Sequence, residues 1–180
     1  MVVIQNIFPN YIGIKNINLN NFTITTEKFK KSFESNIHTT LEESNLFSPK
    51  DIHYFNVQLT DIFSNLFKLN DISTFVFKVT GIWMNKYEVN DFQGTHVHPS
   101  DYCFILYYDV ETSSTVFNSP VKDIIESRDP SPTNIFNKHY EPNCKKGDLL
   151  VFPGYLQHWV KPTSNAKTIA GNIKIIEVKY

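Results

Sequence analysis

The chain has 180 residues, 41% of them hydrophobic and including 15 Phe and 9 Tyr, which fits one globular domain able to bury a sizeable core without staples. A formal net charge of −1 removes any electrostatic case for nucleic acid or an anionic membrane surface as a partner. Apolar runs such as Asp148–Leu156 are too short to cross a bilayer and are broken by Pro153 and Gly154.

Cys103 and Cys144 form no C-x-x-C pair, and the start of the chain shows no basic segment followed by a long apolar one. The expectation is a reduced, cytoplasmic protein, or one of the host cytoplasm if the source is viral, which the heavy use of Asn, Ile and Lys fits. Self-association is left open by the sequence.

After a short apolar start, Phe29, Phe33, Ile37 and Leu41 recur at spacings of four, with Thr26 as a cap, and predict a helix over Glu27 to Ser44. Ser48-Pro49-Lys50-Asp51 starts a second helix, in which Ile52, Phe55, Leu59, Ile62, Phe63 and Leu66 form an apolar face. From Ser73 the pattern turns to β-branched and aromatic residues at period two. It runs through 73–87, 95–98, 102–110, 114–118, 147–153, 158–162 and 167–180. Helical support over 26–70 and a β core over 73–180 predict a single domain, 1–180, built as a helix-backed antiparallel sandwich or barrel. The segment 110–146 holds Pro120, Pro130, Pro132 and Pro142 and reads as a lid-like loop.

His96 and His98 stand two residues apart in Gly94-Thr95-His96-Val97-His98-Pro99. On a strand they share one face while Val97 turns away, a chelating arrangement that also arises where two polar residues merely sit near a strand end. His158 follows the turn at Pro153-Gly154 and opens a further strand. Three nitrogens on one face leave open positions opposite, as a catalytic metal needs. His38, His53 and His139 lack such spacing and read as surface or capping residues.

The order H-x-H-P, then G-D-L-x-x-F-P, then H-x-V-x-P, with Trp83-x-Asn85 before and Ile169-Ala170-Gly171-Asn172 after, resembles a known family. It is that of the small 2-oxoglutarate and iron(II)-dependent oxygenases of the phage and bacterial type, described loosely as prolyl-hydroxylase-like. The likeness runs from about Ile7 to Ile175 and includes an Ile7-Phe8-Pro9 opening. It implies a double-stranded β-helix of jelly-roll or cupin-like form, mainly β with N-terminal helices. It also implies Fe(II) held by His96, His98 and His158, with 2-oxoglutarate and O2 completing the reaction. His98 stands where the wider superfamily places an Asp or Glu, and Asp101 is the fallback carboxylate. Asn85, Tyr107, Lys167, Thr168 and Asn172 are the implied cosubstrate contacts, while Trp83 and Trp159 read as packing.

The sequence departs from the family's pattern at one charge. Relatives place an arginine on the last strand to fork onto the distal carboxylate of 2-oxoglutarate, and counting back from Asn172 puts Ala166 there, with Thr168 as the accompanying hydroxyl. Lys167, Lys161, Lys174 and Arg128, the chain's one arginine, are the replacements to consider.

The leading expectation is a dioxygenase that couples oxidative decarboxylation of 2-oxoglutarate to hydroxylation of an unidentified substrate. Its partners would then be a small-molecule cosubstrate and that substrate, with no membrane. The rivals are a cupin-like metal enzyme without 2-oxoglutarate and a catalytically silent β-sandwich serving in an assembly.

Overall fold

The computed structural model describes residues 2–7, 10–22, 29–32, 36–41, 46–128 and 138–180, apart from the side chains of Asn6, Ile7, Ile125 and Arg128. Helix α1 (Pro49–Lys68) begins at the foreseen signal. The Ser48 hydroxyl accepts from the Asp51 amide at 3.2 Å, and the Asp51 carboxylate accepts from the Ser48 amide at 2.8 Å. Two amides at the helix start are thereby satisfied, with Pro49 in the first turn. Phe55, Leu59, Ile62, Phe63, Leu66 and Phe67 form its buried face.

The strands are β1 (Val2–Ile7), β2 (Asn10–Asn16), β3 (Lys30–Lys31), β4 (His38–Thr39), β5 (Thr74–Tyr87) and β6 (Gln93–His96). They continue with β7 (Tyr102–Asp109), β8 (Thr115–Asn118), β9 (His139–Tyr140), β10 (Asp148–Pro153), β11 (His158–Val160) and β12 (Ala166–Lys179). A short helix, α2 (Lys122–Arg128), lies between β8 and β9. An eight-stranded sheet runs β1-β2-β10-β7-β12-β5-β4-β3 and a four-stranded sheet runs β6-β11-β8-β9. Every strand pairing in both is antiparallel.

The central strands of the larger sheet are covered on both faces, which explains their nearly continuous apolar runs. Along β7 and β10, Phe104, Leu106, Leu149 and Val151 pack toward α1. The alternating Cys103, Tyr107, Leu150 and Phe152 belong to a second cluster with Phe117 of the small sheet. Gly171 of β12 serves this layering, since a Cβ there would lie 2.4 Å from the Phe104 ring. Lys15 of β2 pairs with Asp61 of α1 at 2.7 Å, at the edge of the same helix-to-sheet contact.

The expected strands from residue 73 onward form, with the one expected over 95–98 found at Gln93–His96, and so does the expected second helix. The first expected helix does not: residues 23–28, 33–35 and 42–45 lie outside the described residues, and the described remainder is extended. Lys30–Lys31 and His38–Thr39 pair with each other, and His38–Thr39 pairs onward with Lys86 and Asn85. Ile37 packs with Tyr87 and Val160 instead of along a helical stripe, so tertiary pairing at the sheet edge overrides the four-residue spacing. The segment 110–146 is more than a loop, because β8 joins the small sheet between β11 and β9; residues 129–137 of it lie outside the described ones. The Phe8–Pro9 part of the opening lies outside them too.

Phe63 is fully buried and meets Phe67, Phe75, Phe77 and Tyr102. Phe63→Ala is therefore expected to lower the unfolding free energy by about 3–5 kcal/mol in a urea titration. Val57→Ala, on the exposed side of α1, should change it by less than about 0.5 kcal/mol.

Candidate metal centre

β6 and β11 are neighbours in the small sheet, and their register sets His96 directly opposite His158. The strand ends at His96, so His98 lies beyond it in the following turn. It is held there by its amide, which donates to the Gly154 carbonyl at 2.9 Å, while the Gly154 amide donates to the Asp101 carbonyl at 3.0 Å. This pair of backbone bonds requires glycine, since a Cβ at 154 would sit 2.1 Å from the Ser100 carbonyl oxygen. The loop before β11 thus fixes His98 and delivers His158 a few residues later. Val97 is half exposed and turns away.

One ligand atom from each of His96, His98 and His158 falls within 4.8 Å of the others. Ring centroids are 4.3 Å apart for His96 and His158, 5.1 Å for His96 and His98, and 5.3 Å for His98 and His158. The Nδ1 atoms of His96 and His158 lie 2.8 Å from the Gly94 carbonyl and 3.0 Å from the Leu156 carbonyl. A carbonyl oxygen only accepts, so Nδ1 must carry the proton and Nε2 keeps its lone pair for a ligand. Orienting bonds of this kind are what metal-binding imidazoles require.

Burial, with His96 nearby, pushes His98 down to about 4. Burial, again with His96, pushes His158 down to about 3. Both rings are consequently neutral at pH 7, the state that coordinates a cation. Three imidazole nitrogens converge on one point, and the residues fit a divalent transition metal such as iron(II).

The three rings face a cavity between the two sheets. The Trp83 ring lies 5.8 Å from His98 and the Phe152 ring 4.8 Å from His158. Trp83 was expected only to pack, yet it lines this cavity. The signal for that was its alternation with Asn85 on β5, which put both on the inward face. Trp159 faces away as alternation requires and donates to Asn118 at 3.2 Å.

The other expected residues divide by position. Asn85, Tyr107 and Thr168 line the cavity. Tyr107 is buried, donating to the Thr115 hydroxyl at 3.0 Å and accepting from Ser113 at 2.9 Å. Asn172 does not line the cavity; its side-chain oxygen accepts from Ser100 and Cys103, each at 3.5 Å. Lys167 is also absent from the lining, because Ala166, Thr168 and Ala170 alternate inward and turn it to the opposite face.

Asp101 is not a ligand in this arrangement. Its carboxylate accepts from the Ile175 amide at 2.8 Å and pairs with Lys174 at 3.0 Å, tying the turn after His98 to β12. The Ile175 amide holds its carboxyl below the ordinary range. Lys174 is committed to Asp101, and Lys161 pairs with Glu141 at 2.5 Å. The Arg128 side chain lies outside the described ones. Among the described residues the cavity wall contains no lysine and no arginine. Of the remaining histidines, His53 is exposed on α1, His139 lies 3.0 Å from the Asn118 oxygen, and His38 sits on β4.

Residues 81–169 match the sequence model of a family described as "Putative 2OG-Fe(II) oxygenase". No curated protein matches the chain by sequence. Among solved structures, a 2OG-Fe(II) oxygenase family oxidoreductase from Burkholderia pseudomallei is 9% identical with a TM-score of 0.56, covering 84% of this chain and 73% of that one. HygX from Streptomyces hygroscopicus, solved with nickel and 2-oxoglutarate bound, is 9% identical with a TM-score of 0.53, covering 91% of this chain and 82% of that one. At these identities the likeness establishes a shared fold, the double-stranded β-helix expected above.

Two measurements follow from this geometry. His158→Ala is expected to lower iron or nickel retention by at least about 100-fold in equilibrium dialysis, with unchanged stoichiometry excluding His158 from the set. Burial raises Cys103 to about 11 and Cys144 to about 12. Iodoacetamide at pH 8 should therefore alkylate either thiol at least about 100-fold more slowly in the native protein than in urea.

Proposed function

We propose that the chain is a 2OG-Fe(II) oxygenase, as the match over residues 81–169 and the shared fold support, and that His96, His98 and His158 hold the iron of a dioxygenase that hydroxylates a substrate yet to be identified. The observation that carries this reading is the convergence of three imidazoles inside the cavity, two of them locked by backbone carbonyls with Nε2 free. Iron(II) bound there would supply oxygen activation coupled to the oxidative decarboxylation of 2-oxoglutarate, with succinate and carbon dioxide as products.

The protein's own share is positioning and exclusion of water. Trp83 and Phe152 wall two of the imidazoles, and the second apolar cluster closes the cavity on the side of β7 and β10. Burial keeps the His98 and His158 rings unprotonated, so these two bind a cation without first losing a proton. The three-nitrogen set brings no negative charge to the metal. It therefore favours an anionic chelating cosubstrate more strongly than a set containing a carboxylate would.

A cupin-like enzyme without 2-oxoglutarate is the second reading, favoured by the absence of lysine and arginine from the described cavity wall. A silent assembly module has no use for three convergent imidazoles. No described helix is long and apolar enough to cross a membrane, and the free thiols suit a reducing cytoplasmic compartment.

Supplied with iron(II), ascorbate and air, the protein is expected to convert 2-oxoglutarate to succinate, with His96→Ala reducing the rate by at least about 100-fold. Equal succinate in the presence and absence of the protein would sink the reading.

A further inference from the structure

The inward face of the large sheet changes character along its length. Near the histidines, the register aligns Trp83 of β5, Ala170 of β12, Ile105 of β7 and Leu150 of β10 in one apolar row. Two residues further along the strands, it aligns Asn85, Thr168 and Tyr107. The small sheet repeats the pattern. His96, His158 and Phe117 stand in register at one end, and Gln93, Val160 and Thr115 stand in register at the other.

Tyr87, buried, closes the polar end. Its hydroxyl donates to the Gln93 side-chain oxygen at 3.3 Å and lies within hydrogen-bonding reach of Thr168 and Asn85. Asn85, Thr115 and Thr168 are also buried. The cavity therefore runs from a metal-binding end to a floor of hydroxyls and amides, and the described residues of that floor carry no formal charge.

The geometry points to a neutral floor, formed by Asn85, Tyr87 and Thr168, as the seat for the tail of the 2-oxo acid, selecting that tail by length and hydrogen bonding and not by charge. This inference rests on the oxygenase reading above and specifies its cosubstrate subsite. The position where a cation would be expected, Ala166, lies directly across from Tyr87 at the cavity wall.

The energetic consequence differs from that of an arginine site. Where a buried guanidinium faces a carboxylate, a neutral tail strands the guanidinium and is rejected strongly. A floor of neutral donors strands no ion. Hydroxyl and amide donors bind a carboxylate through charge-assisted bonds, but the carboxylate must also give up its hydration, so the advantage of the charge is small. An ester carbonyl accepts the same bonds and loses less water. The attraction is also local, so added salt has little to screen.

The test uses the full-length protein, loaded with iron(II) under anaerobic conditions and titrated while the visible charge-transfer band of the chelated 2-oxo acid is followed. Probes are 2-oxoglutarate and its 5-methyl ester. Wild type is expected to give the band with both, with Kd values within about 5-fold, and a change of less than about 2-fold for 2-oxoglutarate between 50 and 500 mM NaCl. Ala166→Arg is expected to tighten 2-oxoglutarate by at least about 10-fold, to weaken the ester, and to introduce salt dependence.

A wild-type preference for the diacid of about 100-fold or more would overturn the neutral floor while leaving the oxygenase reading intact, and so would weaker diacid binding in a folded Ala166→Arg protein. No band with either probe, while iron remains bound, would overturn the oxygenase reading together with this inference. The wild-type comparison decides the matter even if the variant does not fold.

Discussion

Everything at the histidine end of the cavity depends on the pairing of β6 with β11. That ladder is short, and its register places His96 opposite His158. A slip of one residue would turn one of the two rings out of the cavity, because successive strand side chains face opposite ways. His98 has no strand to hold it and relies on Gly154, whose missing side chain lets the turn after β10 approach Ser100 and bond the His98 amide. Two short pieces of backbone, neither stable alone, therefore fix three side chains. The large sheet and α1 supply the rigidity that lets them do so.

The cavity follows from the same layering. The central strands of the large sheet send one set of side chains to α1 and the alternate set toward the small sheet, so the interior is apolar near the histidines. Burial keeps the His98 and His158 rings neutral and free to coordinate. The polar residues gather two positions further on, where they bond mainly to one another: Tyr107 with Ser113 and Thr115, and Tyr87 with Gln93. An interior graded from apolar to neutral-polar suits a ligand that carries its metal-chelating group at one end and an acceptor at the other.

Much of this was legible in the sequence, for identifiable reasons. The Ser48 cap, the apolar face of α1 and the period-two runs after residue 73 all act locally, so local pattern revealed them. His96, His98 and His158 were legible because spacing and a turn signal constrain them. The N-terminal β1–β2 hairpin reads in the sequence only as a short apolar start, although Ile12 and Ile14 alternate in the manner of a strand; its pairing with β10 depends on residues far along the chain. The first expected helix failed for the same reason, since His38 and Thr39 are recruited to the sheet edge by β5. Asp101 reads as a ligand by proximity to His98, but its partners, Ile175 and Lys174, come from the opposite end of the sequence. Asn172 and Lys167 were misplaced with respect to the cavity because a motif fixes a position along the chain, while facing is decided by strand register.

X-ray absorption of the iron(II)-loaded protein most directly tests the claim that three imidazoles share one ion. The outer-shell scattering is expected to require three histidine rings around iron bound by nitrogen and oxygen only. A spectrum that fits with one ring or none, or that needs a sulfur ligand, would contradict it.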